Sequence, residues 1–117
     1  MKSLALKELH FLLDADGALI AFQEKDQSWA GALVFSSEEL ARRFIELSHL
    51  EVLEIASLAT DDSESIAALI AAMKRRPIRY ALLDLDYHSG TCKQIDFDGD
   101  TFGTATSRQF VAEHRHG

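Results

Sequence analysis

The sequence predicts an α+β domain, in which a mixed, mostly antiparallel sheet carries two helices on one face in the chain order βββαβαββ. Three observations predict it. Apolar and polar residues alternate with period two in Leu9–Phe22, Arg79–Tyr87 and Lys93–Phe97. Two segments, starting near Ser37 and Ser63, place apolar residues at helical spacing behind a capping signal. Turn residues join neighbouring strands closely enough to favour hairpins over parallel crossovers.

The first strand pair is read over Leu9 to Phe22. Leu9, Phe11 and Leu13 alternate with His10, Leu12 and Asp14, and Asp16-Gly17 suits the two left-handed positions of a type I′ turn. With that loop, Ala15 faces Ala18, Leu13 faces Ile20 and Phe11 faces Phe22, which gathers the bulky side chains on one face. Glu24 to Ser28 then forms a loop, and a third strand runs near Trp29–Phe35.

Val34-Phe35-Ser36-Ser37-Glu38-Glu39-Leu40 takes the chain from strand to helix. Ser36 is the expected N-cap, with Glu39 three residues on reaching back in a capping box. The helix, about Ser37 to Ser48, turns Leu40, Phe44, Ile45 and Leu47 to one side. A strand follows within Leu50–Leu58, and Asp61-Asp62-Ser63-Glu64 starts the second helix. Its buried stripe is Ile66, Leu69, Ile70 and Met73; Lys74, Arg75 and Arg76 complement its C-terminal dipole and Pro77 ends it.

In Arg79–Tyr87, Leu83, Leu85 and Tyr87 share one face, with Asp84, Asp86 and His88 on the other. Ser89-Gly90-Thr91 turns the chain into Lys93–Phe97, where Ile95 and Phe97 alternate with Gln94, Asp96 and Asp98. Residues from about 100 to 117 read as a C-terminal tail, with an amphipathic, helix-like stretch from Phe110 to His114.

At 117 residues the chain fits one domain spanning 1–117, with a single core. A net charge of −7 argues against nucleic acid or an anionic membrane as a general partner. No apolar run approaches the roughly 20 residues needed to cross a bilayer. Met1 to His10 lacks the apolar core of a secretory signal, and Cys92 is the lone cysteine, so a reducing cytoplasm is the expected setting.

Phe11-Leu12-Leu13-Asp14-Ala15-Asp16-Gly17, Leu33-Val34-Phe35-Ser36-Ser37-Glu38-Glu39-Leu40-Ala41 and the following Phe44 together resemble the N-terminal domain of the SseB-like proteins. The likeness covers roughly Phe11 to Leu47, about a third of the chain. It implies an α/β fold and carries no catalytic residue onto these positions.

One acidic constellation stands out. If Leu83, Leu85, Ile95 and Phe97 share a face, then Asp84, Asp86, His88, Asp96 and Asp98 share the other. The in-phase registers set Asp84 against Asp96, or Asp86 against Asp96 and Asp84 against Asp98. Opposed carboxylates are unfavourable unless solvent, an arginine or a cation separates them. The five residues are therefore candidate ligands for Mg²⁺, Mn²⁺ or Ca²⁺, set against the commoner reading of a solvated outer sheet face relieved by Arg79 and Lys93.

Other motifs are weaker. Asp96-Phe97-Asp98-Gly99-Asp100 puts glycine at position four rather than six of a calcium loop, with Ser107 where an EF-hand has glutamate, and reads as a turn. The five histidines lack zinc spacing, His114 and His116 forming only a terminal pair. A Cys92–His88 pair is conceivable, but neighbouring aspartates oppose a thiolate. No nucleophile elbow, phosphate loop or cofactor motif is present, and no cofactor is expected. Trp29, Phe102 and Phe110 adjoin loops or termini, where they either cap the core or anchor a partner. An unprotected sheet edge invites a second copy. The favoured function is accordingly a small, non-enzymatic protein-association or regulatory module, acting as a homodimer or with another protein; the alternative is a divalent-metal protein or metal-dependent enzyme.

Overall fold

The protein is described by a computed structural model covering residues 6–23 and 29–110. Its elements are β1 (Glu8–Leu13), β2 (Ala21–Gln23), β3 (Ala30–Phe35), α1 (Glu38–Ser48), β4 (Glu54–Ala59), α2 (Ser63–Lys74), β5 (Ile78–Leu83), β6 (Thr91–Asp98) and β7 (Thr101–Gln109). The seven strands form one mixed sheet in the order β4-β1-β3-β5-β6-β7, with β2 also paired to β3. Among the described strands only β3 and β5 run parallel. The α+β class and mixed sheet therefore agree with the sequence expectation.

The helices do not share a face. Ala41 and Phe44 of α1 pack with Leu12, Leu33, Phe35, Tyr80 and Leu82. Ile66, Ile70 and Met73 of α2 pack with Leu9, Ala32, Val34, Ala81 and Leu83. Successive residues of a strand point to opposite faces. The unbroken apolar runs Gly31–Phe35 and Tyr80–Leu83 therefore supply both sides of the sheet and require a cover on each.

The hairpin expected over Leu9–Phe22 is also corrected. Both β1 and β2 lie antiparallel to β3: His10 faces Phe35 and Phe11 faces Val34, then Ala21 faces Ala32 and Phe22 faces Gly31. Thus β2 resumes the direction of β1, and the intervening residues make an excursion tied by a Leu13–Leu19 bridge. Asp14 shapes that loop, its Oδ1 accepting from the backbone N–H of Asp16 at 2.9 Å and Ala18 at 3.0 Å. Of the two turn residues only Gly17 has positive φ, 78°, whereas type I′ needs two.

At α1 the cap is Ser37, not Ser36: Ser37 Oγ accepts from Leu40 N–H at 3.2 Å. Asp62 does the same for α2 through Ser65 N–H. Residues 101–109, read from sequence as tail, form β7, joined to β6 by the two-residue turn Gly99-Asp100 with Asp98 opposite Thr101. The helix-like stretch Phe110 to His114 lies outside the described residues beyond Phe110, as do His114, His116 and the loop Glu24 to Ser28. No helix among the described residues is long and apolar enough to cross a membrane.

Candidate functional site

β3 and β5, the parallel pair, end side by side, and the carboxyl ends of such strands are where open α/β sheets leave a crevice. β3 passes through Ser36 into α1, and β5 passes through Asp84 into the loop preceding β6. Asp84 has φ 55°, in the left-handed region that short polar side chains tolerate. Its backbone N–H donates to Val34 O at 2.9 Å. Its carboxylate clasps the neighbouring strand end: Oδ1 accepts from Ser36 N–H and Oδ2 from Ser36 Oγ, both at 2.8 Å. Ser36 is thus committed to an inter-strand clamp, which explains why capping falls to Ser37.

The left-handed residue ends the alternation. β5 stops at Leu83, opposite Lys93, so Asp84, Asp86 and His88 do not share a strand face. Asp86 instead organises a tight loop. Its Oδ1 accepts from the N–H of His88 at 2.9 Å and of Ser89 at 3.5 Å, and its N–H donates to Thr91 O. The His88 backbone bond foremost, then that from Ser89, holds the Asp86 carboxyl below its ordinary pKa, with the His88 charge adding a smaller pull.

Between this loop and α1 lies a cleft of about 430 Å³. Phe35, Phe44 and Leu85 are buried beneath it, and Leu40, Arg43, Asp86, Tyr87 and His88 are exposed around it. Leu40 is 40% exposed and Tyr87 48%, so the cleft rim presents two large apolar side chains together. Tyr87 is held rather than free, its ring meeting Phe44 edge-on at 5.8 Å between centroids and 82° between planes. On the outward side of α1, Glu38 and Arg42 pair, while Glu39, Arg43 and Glu46 line an adjoining shallow surface.

Of the five acidic-face candidates, Asp84, Asp86 and His88 therefore meet at one cleft. Asp96 and Asp98 do not join them. Asp96 faces Tyr80, three residues along β6 from Lys93, roughly 10 Å at strand spacing, and Asp98 lies further off at the β6–β7 turn. Among the described residues no group of three or more metal-ligating side chains converges. The five-residue constellation is corrected because its premise, an unbroken strand through Tyr87, fails at Asp84.

The aromatic candidates separate too. Phe102 and Phe110 are buried in the two core clusters, Phe102 beside Phe97 and Phe110 beside Phe22, so neither is available as an exposed anchor. Trp29 is 37% exposed and lies under the Arg79 guanidinium at 4.0 Å. Cys92 is buried in the α1-side core whereas His88 is exposed, so they do not form the conceivable thiolate–imidazole pair. Leu40, which the helical spacing places on the apolar stripe, lies in the first turn of α1 beyond the end of β3 and so sits at the cleft rim.

No family model, curated protein or solved structure matches this chain.

Proposed function

We propose that this protein is a protein-association module rather than an enzyme, and that the cleft between α1 and the Asp84–Thr91 loop receives a bulky apolar side chain from a partner protein. The observation that carries this reading is the pair of large apolar side chains, Leu40 and Tyr87, held half-exposed over a floor of Phe44 and Leu85. Aromatic and aliphatic groups around a pre-formed hollow are what a hot-spot residue needs, since burying one such side chain is worth about 1.5–3 kcal/mol. The polar surroundings favour a basic neighbour on that partner segment: Glu39, Glu46 and Asp86 outnumber Arg43, while Arg42 is engaged with Glu38. The polar groups behind the cleft support docking over chemistry, because the Asp84 carboxylate is occupied by Ser36 and that of Asp86 by its own loop.

A cytoplasmic setting belongs to the same proposal, supported by the single, buried Cys92. A relationship to the SseB-like N-terminal domain is likewise our inference, supported by the Phe35-Ser36-Ser37-Glu38 strand-to-helix passage.

The test compares proteins retained from a soluble extract by the wild type and by Leu40→Glu, Tyr87→Glu and Leu53→Glu. Leu53 is 62% exposed away from the cleft and serves as the control. A partner held by wild type and Leu53→Glu but lost by both cleft variants, all equally folded by circular dichroism, is the expected result. Retention that is indifferent to the cleft substitutions would sink the proposal.

A further inference from the structure

We infer that β4 is a homodimerisation edge, pairing antiparallel with β4 of a second copy about a two-fold axis through Ser57. This goes beyond the cleft reading and uses a different surface. Among the described strands β4, β7 and the three-residue β2 each pair on one side only, and the two long edges, β4 and β7, differ in how they discourage pairing. β7 carries a bulge near Gly103-Thr104, where three steps of β7 span two of β6, and it places Arg108 within the strand. β4 has neither device. All six of its residues match β1 one for one, from Glu54 opposite Leu13 to Ala59 opposite Glu8, and Ile55-Ala56-Ser57-Leu58-Ala59 contains no charge, proline or glycine.

The side-chain pattern selects a second copy and its register. Across a two-fold axis normal to the sheet, facing residues must come from the same face, so their numbers differ by an even amount. Centring the axis on Ser57 sets Ala56 opposite Leu58 of the second copy, and the reverse. Leu58 already packs against the α2-side core, so these pairs extend that apolar layer from one copy into the next. Ile55 then faces Ala59 on the other side. Glu54, the one charge on the strand, falls opposite Thr60 of the second copy rather than opposite itself. The edge thus meets its own image without placing like charges together, although each chain carries −7.

Sedimentation equilibrium of the purified chain at several concentrations tests this. The wild type is expected to show a monomer–dimer equilibrium. Ser57→Lys, at an exposed position, should raise the dissociation constant about tenfold by opposing two ammonium groups at the axis, with the thermal midpoint of the monomer unchanged. In a Cys92→Ser background, Ser57→Cys should oxidise to a disulfide-linked dimer, because facing strand residues lie within disulfide range, whereas Thr106→Cys on β7 should not. A wild type that stays monomeric at every concentration, a dimer indifferent to Ser57→Lys, or cross-linking through Thr106→Cys in place of Ser57→Cys would overturn the inference. Each of these readouts is independent of whether the cleft binds a partner.

Discussion

Replacing Asp84 by alanine should be the most informative single perturbation of the strand-end clamp. It removes two charge-assisted hydrogen bonds, from Ser36 N–H and Ser36 Oγ, each 2.8 Å long and partly buried. At the lower end of their usual range, about 1.5 kcal/mol apiece, these amount to about 3 kcal/mol. Alanine must also adopt φ near 55°, which costs about 1 kcal/mol more than for a residue suited to the left-handed region. The expected loss is therefore about 4 kcal/mol, a large share of the 5–15 kcal/mol that holds a domain together. Asp84→Gly loses the same bonds without the left-handed cost and should be about 1 kcal/mol less damaging. Asp84→Asn keeps an acceptor for Ser36 N–H and tolerates the backbone, so it should lose only about 1 kcal/mol. Urea unfolding at constant m-value measures the series, and Ser36→Ala combined with Asp84→Ala gives the coupling energy directly. A loss below roughly 1 kcal/mol for Asp84→Ala, or no advantage of glycine over alanine, would refute the clamp.

Gly31→Ala should cost about 1–3 kcal/mol in thermal unfolding, because the new methyl would lie 2.6 Å from Tyr80 Cε1 and 2.8 Å from Leu82 Cγ between β3 and β5. Ser37→Ala should cost about 1 kcal/mol through loss of the α1 cap. NMR titration should place the Asp86 carboxyl below its ordinary 3.8. Since its folded pKa is depressed, its contribution is present above the unfolded value and lost as pH falls through the folded one; a midpoint at or above 3.8 would contradict the loop geometry. Mg²⁺, Mn²⁺ or Ca²⁺ should move the thermal midpoint no further than a monovalent salt at equal ionic strength; a saturable rise specific to one ion would restore the acidic-face reading.

Local signals carried the sequence reading well where one residue type decides a backbone event. Asp62 before α2, Pro77 after it, and Gly99 in the β6–β7 turn each fall where the alternation or the helical stripe ends. The reading failed where a side chain bonds across the fold. Nothing local distinguishes Ser36 from Ser37 as a cap; Asp84, 48 residues on, makes the choice. The same aspartate, by turning left-handed, ended a strand whose pattern continued to Tyr87 on paper. β7 is not legible in the sequence because its bulge shifts the phase between Phe102 and Ala105, which breaks the period-two signal. The two-sided sheet is legible in the unbroken run Ala32-Leu33-Val34-Phe35, since a strand covered on one face only would alternate. The cleft was only partly legible. The sequence marks Asp84, Asp86 and His88, but Leu40 and Tyr87 acquire their role from the meeting of α1 with a loop distant in sequence.

The placement of one helix on each side of the central strands bears on how the molecule comes apart. β3 contributes Ala32 and Val34 to one hydrophobic layer and Leu33 and Phe35 to the other, and all four are essentially inaccessible to solvent. Neither layer can melt while the other persists, because stripping either helix exposes a strand that the remaining one needs straight and paired. Amides of β3 and β5 should therefore exchange with deuterium only through whole-molecule opening, at a common free energy, while peripheral amides exchange through smaller fluctuations. The twin layers should therefore unfold in one cooperative transition despite the lack of one undivided interior.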